Sequence, residues 1–191
     1  MFIKSWFSFL RPIVLILICC ASLWFTHPID TMADIDNDRY DGNIFVVYAG
    51  NGSLVPSRLT LKQSFDRELP VILVYYLDDN SDSKEFAFIV SRFQEFYGRA
   101  ASIIPVNVDT IPLKESYQPD EVGYYYQGAI PQTVILNQQK EVIFNEQGII
   151  KFEAADDVLR KLFDLLPRSQ SVELKKKTFN QFNSELVPQN K

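Results

Sequence analysis

The spacing of hydrophobic positions changes period several times along the chain, and each change predicts an element. Residues 71–77 (VILVYYL) are an unbroken apolar and aromatic run. Their types suit a strand, and the lack of alternation predicts burial on both faces beneath flanking helices. A polar turn follows at Asp78–Asp82. From Ser83 the apolar positions Phe86, Ile89, Val90, Phe93 and Tyr97 recur at helical spacing, with Ser83 or a neighbour in 80–82 able to cap the first turn. Upstream, Asn43–Tyr48 reads as a short strand, and Thr60 can cap a helix over Leu61–Arg67 that packs through Leu61, Ser64 and Phe65.

Downstream, Gly98 and Arg99 end the long helix, and Ile103–Val108 predicts the next strand. Pro105 within it suggests an edge position or an irregular start. Residues 109–128 make a connection long enough to hold a short helix or a folded excursion. It contains Tyr124, Tyr125 and Tyr126 in succession. Gln132–Asn137 and Glu141–Asn145 predict a hairpin across a polar turn. Asp156–Leu166 predicts a last helix, with Asp156 and Asp157 at its positive end and Pro167 as its stop. The expected architecture is α/β, with a mixed central sheet between helical layers and a C-terminal antiparallel hairpin.

The ends of the chain differ from this middle. Lys4 and Arg11 precede the apolar run Pro12–Phe25, with Trp6, Phe7, Phe9 and Leu10 before it. That predicts a signal peptide or membrane anchor within residues 1–32, a transmembrane helix if it is kept, and membrane association through residues 6–25. Basic residues before the run and acidic ones after it favour a translocated domain on the lumenal or periplasmic side. Residues 33–42 carry four aspartates and read as an acidic linker; residues 43–167 make the folded domain; residues 168–191, with Lys175–Lys177, read as a basic polar tail.

Composition narrows the chemistry. A formal net charge of -5 and the absence of a Lys/Arg stripe before the tail argue against nucleic-acid binding. Cys19 and Cys20 are the only cysteines, so no thiolate exists in the domain to perform dithiol exchange. The single histidine, His27, also precedes the domain, which excludes a Ser–His–Asp arrangement within it. Asp78-x-Asn80-x-Asp82 opens like a calcium loop, but Ser83 stands where that loop needs glycine and Ile89 where it needs a bidentate glutamate. No cofactor is expected. A metal- or carboxylate-dependent enzyme using the Asp78–Asp82 loop remains the alternative to a binding role.

The element order resembles the thioredoxin fold, and two motifs support it. In VILVYYLDDNSDSKEFA, Asp79 stands at the family's tryptophan, Asn80 and Ser83 at its two cysteines with Ser81 and Asp82 between them, and Lys84 at its lysine. GAIPQTVIL, residues 128–136, is similar to the stretch whose cis-proline faces the active loop, with Pro131 as the matching residue. The family's buried aspartate maps to Val74 and the lysine of its next strand to about Pro105. A narrower resemblance rests on YYLDD, RFQEFYGRAA, GYYY, IPQTV and DDVLRKLFDLLPRSQSVELK. These phrases are similar to the cyanobacterial thylakoid membrane photosystem I accumulation factors. That resemblance implies a thylakoid membrane location and support of photosystem I accumulation without an established reaction, with photosystem I subunits or assembly factors as partners. The expected binding face joins Asp78, Asp79, Asn80, Ser81, Asp82 and Ser83 to Tyr124, Tyr125, Tyr126, Ile130 and Pro131. Modulation of a true thiol oxidoreductase through the same face is a further alternative.

Overall fold

Val71–Tyr76 forms β1, the strand that the unbroken apolar run predicts, and all six of its residues are buried. It lies at the centre of the domain in a computed structural model that describes residues 33–171. Three further strands complete the sheet: β2 (Ser102–Asn107), β3 (Gln132–Leu136) and β4 (Val142–Gln147), in the order β2-β1-β3-β4. β1 runs parallel to β2 and antiparallel to β3, and β3 and β4 form the antiparallel hairpin. The fold is α/β with a mixed open sheet and flanking helices, as the sequence predicts. Pro105 sits in β2, an edge strand, where a missing N–H need not break the ladder.

Among the described residues four α-helices flank the sheet: α1 (Ile44–Val47), α2 (Leu61–Asp66), α3 (Ser81–Tyr97) and α4 (Phe152–Leu162). The pleat sends Ile72, Val74 and Tyr76 into one core with Phe86, Val90 and Phe93 of α3 and Phe152 and Leu159 of α4. It sends Val71, Leu73 and Tyr75 into a second core with Leu61 and Phe65 of α2, Val106 and Tyr125. The layers are therefore helix, sheet, then α2 with the 109–128 excursion. That excursion carries two single 3₁₀ turns, Val108–Thr110 and Val122–Tyr124. A Cβ on Gly123 would stand 2.3 Å from the Tyr117 ring, so the glycine lets that ring close over the turn.

Two elements differ from the sequence expectation. Residues 43–48 are not a strand: Asn43 caps α1, its side chain accepting from Phe45 N–H, and Asp78 accepts the Ile44 N–H at 3.0 Å. Ile44 and Phe45 are buried while Val46 and Val47 are exposed, a sequence of sides that period-2 alternation cannot produce. The last helix begins and ends about four residues before the predicted bounds. Asp164 takes a left-handed conformation at φ 51°, and the N–H groups of Asp164 and Leu165 bond to Lys161 and Arg160 carbonyls, closing a Schellman end. Glu68 closes α2 the same way, with Leu69 N–H on Ser64 O at 3.0 Å. Neither position carries the glycine that would have marked it.

The expected transmembrane helix also needs correction. Among the described residues, no helix is long and apolar enough to cross a membrane. The segment 6–25 on which that expectation rested lies outside the described residues, as do most of the basic tail and both cysteines.

Candidate functional site

At the carboxyl end of β1 the chain turns into α3, and the loop between them is held by its own polar groups. Asn80 is the helix cap: its Oδ1 accepts from Ser83 N–H at 2.8 Å and from Ser83 Oγ at 2.9 Å. The two residues at the cysteine positions of the thioredoxin pattern are thus bonded to each other. Ser83 is buried, and Leu77 N–H donates to its Oγ at 3.3 Å. Asp78 is spent in a different direction. Its carboxylate accepts from Ile44 N–H and from Asn107 Nδ2, each at 3.0 Å, and so ties α1 and the end of β2 to the loop. Among the described residues, no group of three His, Cys, Asp or Glu side chains is placed to hold a metal ion. Asp79 and Asp82 remain exposed.

Lys84 lies one residue further and is 0% exposed. Its Nζ donates to the Asp34, Asn37 and Arg39 carbonyls at 3.1, 3.0 and 2.7 Å, and to Asp41 Oδ2 at 2.7 Å. Residues 34–41, expected as a linker, therefore close around a buried ammonium as a strap. The strap also reaches the start of α3, where Asp38 Oδ1 accepts from Ser81 N–H at 2.9 Å, a favourable place for an anion. Burial works to lower the Lys84 pKa, but the hydrogen bond to Asp41 and the neighbouring Tyr48 outweigh it and leave the pKa raised. Asp41 is the counterpart: the Lys84 ammonium first, and the Tyr48 hydroxyl second, bring its pKa from 3.8 to about 2.

A carboxyl whose pKa falls on folding adds stability above its unfolded pKa and loses it on acidification. The stability difference between the unaltered protein and Asp41→Asn should therefore be full above pH 4 and shrink as pH falls from about 4 to about 2. Denaturant melts of both proteins at stepped pH give this difference. A gap that stays constant through that window would mean that Asp41 is not held by Lys84.

The proline side of the site comes to the same end of the sheet. Tyr75 pairs with Gln132, so Pro131 precedes β3 at the end of the sheet where β1 runs into the Asp78 turn. The Ile130–Pro131 bond is cis, as the resemblance implies. Pro131 is buried and Ile130 half-buried. Gln132 is buried and fixes the tyrosine segment: its Oε1 accepts from Gln127 N–H and its Nε2 donates to Tyr125 O, both at 2.9 Å.

The three tyrosines do not share a role. Tyr125 is buried in the second core and donates to Pro119 O at 2.8 Å. Tyr126 packs on Tyr75 at 5.2 Å between ring centroids, and the Tyr75 hydroxyl donates to Val122 O at 2.6 Å. Tyr124 alone is exposed, at 54%. The fold places the β1–α3 loop and the start of β3 at the same end of the sheet, with Tyr125 and Tyr126 packed on the face away from α3. It leaves Asp79, Asp82 and Tyr124 open to solvent, with Asn80, Ser81, Tyr126 and Ile130 partly open. Sequence reasoning missed Asp38 and Asp41, which come from about forty residues away. Its one available signal was a lysine at a core-facing position of α3.

No protein-family model matches the chain. It is 64% identical over 171 residues to the thylakoid membrane protein slr1796 of Synechocystis sp., a match covering 86% of this chain and 85% of that relative. Among solved structures it is similar to a malarial protein, 11% identical, over 49% of this chain and 97% of the other at a TM-score of 0.40. It is also similar to the germline-specific thioredoxin Deadhead of Drosophila melanogaster, 18% identical, over 56% of this chain and 99% of the other at a TM-score of 0.42.

Proposed function

The chain belongs to the family of the Synechocystis thylakoid membrane protein slr1796, and on that premise we propose that it is a non-catalytic thylakoid factor. It supports photosystem I accumulation by binding photosystem I subunits or their assembly factors. One observation carries the reading: the loop that bears the thiols in a thioredoxin is here closed on itself. Asn80 and Ser83 satisfy one another, and Asp78 holds two other elements. Such bonds stabilise a helix start and occupy the side chains of Asp78, Asn80 and Ser83. What remains available is an acidic, tyrosine-bearing rim of Asp79, Asp82 and Tyr124. An exposed tyrosine offers apolar area with a polar tip, which suits a protein partner.

Crosslinking capture from thylakoid membranes with the full chain tests this. Photosystem I subunits or assembly factors should be retained, and Tyr124→Ala should weaken retention about tenfold if the ring is an anchor. Its melting temperature should not change, because the ring is exposed. The protein should not reduce insulin disulfides. Equal capture by the unaltered protein and a Tyr124→Ala/Asp82→Ala double variant would remove this face from consideration. Turnover of a thiol substrate would remove the non-catalytic reading altogether.

A further inference from the structure

The end of the sheet opposite the proposed face holds a cleft of about 100 Å³, lined by Ser53, Ser57, Arg58, Gln94, Arg99 and Ser102 among others. Loop 51–59 is one wall. It is fixed by Leu54, buried in the core, and by Asn51 Nδ2, which donates to Ser91 Oγ at 3.0 Å. The end of α3 is the other wall. There Gln94 folds over Gly98, its amide nitrogen 2.5 Å from where a Cβ would stand. At the base, Ser64 Oγ and Ser102 Oγ are bonded at 2.8 Å, and Ser102 N–H donates to Pro70 O at 2.8 Å. The protein's own bonds hold these walls apart.

The charged side chains that line the cleft are of one sign. No aspartate or glutamate lines it. Arg58 and Arg99 form no ion pair among the described residues, so neither guanidinium is committed to a carboxylate there. The Ser53 and Ser57 hydroxyl protons are already directed at Asn51 Oδ1 and Leu59 O, so the arginines supply the donors. A water occupies roughly 30 Å³ in the liquid, so the cleft has room for one small oxyanion group. The planar guanidinium fork matches such a group through paired N–H bonds.

We propose that this cleft binds a phosphate group between Arg58 and Arg99, either as the free anion or as the headgroup of an anionic lipid. The site is independent of the partner-binding face, so it can fail while that face stands. Calorimetric titration of the full chain in neutral detergent tests it. The probes are inorganic phosphate and, separately, dihexanoyl-phosphatidylglycerol, with dihexanoyl-phosphatidylcholine as the control lipid. Phosphate should bind at millimolar concentration. Arg58→Ala and Arg99→Ala should each weaken it about tenfold, the worth of a charge-assisted hydrogen bond. Both residues are exposed, so the variants should melt like the unaltered protein. The same arginine dependence with the glycerol lipid and not the choline lipid would identify a headgroup; dependence with phosphate alone would identify the free anion. No binding of either anion, or equal binding by the double variant, would overturn the proposal.

Discussion

Lys84→Met should cost about 3 kcal/mol or more, the usual penalty for breaking a buried ion pair from one side, and should release residues 34–41 from α3. Methionine approximates the length and volume of the lysine, so little packing is lost. What disappears is the donor set for three carbonyls and the Asp41 carboxylate. Each buried acceptor left unpaired costs about 1–3 kcal/mol if it stays buried. The strap lies at the surface and can avoid the full sum by swinging into water. The local signature is therefore loss of the Asp38 contact to Ser81 N–H. Hydrogen exchange at the Ser81 amide should accelerate while the β1 amides stay protected, and denaturant melts should give the global change. Lys84→Arg should not rescue, because a planar fork cannot satisfy acceptors arranged around a point charge. A loss under about 1 kcal/mol with Ser81 still protected would show that the strap is held by something other than the ammonium.

The second large effect is expected at Asp156. This carboxylate is buried in α4, where it accepts from the Tyr97 hydroxyl of α3 and pairs with Arg160 Nε at 2.7 Å. Burial foremost, and Asp156 next, push the Tyr97 phenol well above its ordinary pKa, so it remains the donor at any working pH. Asp156→Ala should destabilise by about 3 kcal/mol because it strands a buried hydroxyl and a partly buried guanidinium together. Tyr97→Phe should cost only about 1 kcal/mol. In the Asp156→Ala background the same change should be neutral or favourable, since the unpaired hydroxyl is then removed. Urea melts of the four proteins measure that coupling. Additive losses would mean that the two groups do not bond, and an Asp156→Ala cost under about 1 kcal/mol would place the carboxylate in water.

Particular residues show why the sequence reading succeeded where it did. β1 was legible because six consecutive apolar residues have no other way to be buried in a short span. α2 was legible because Thr60 and Gln63 form a capping box, and such a box is written in adjacent residues. The hairpin followed from two apolar runs around a polar turn. The boundaries of α4 were missed because its end is set by Asp164 and Glu153 lies in its first turn, whereas the more obvious Asp156 faces inward to Tyr97. The strand expected at 43–48 failed because Asp78, thirty-four residues on, supplies an acceptor to Ile44 N–H and secures the helical start.

The candidate site divides along the same line. From the chain alone came the absence of any domain thiol and a polar cap for α3 somewhere in residues 80–83. Each depends on residue identity or on neighbours in a regular element. Only the folded protein decided that Tyr125 is core and Tyr124 is surface, that Asp78 is spent on Ile44 and Asn107, and that the four-aspartate stretch wraps Lys84. Those partners lie tens of residues apart, and no local periodicity encodes which acid a buried ammonium will meet. The sheet brings them together, and the cost of leaving either charge unpaired then fixes the choice.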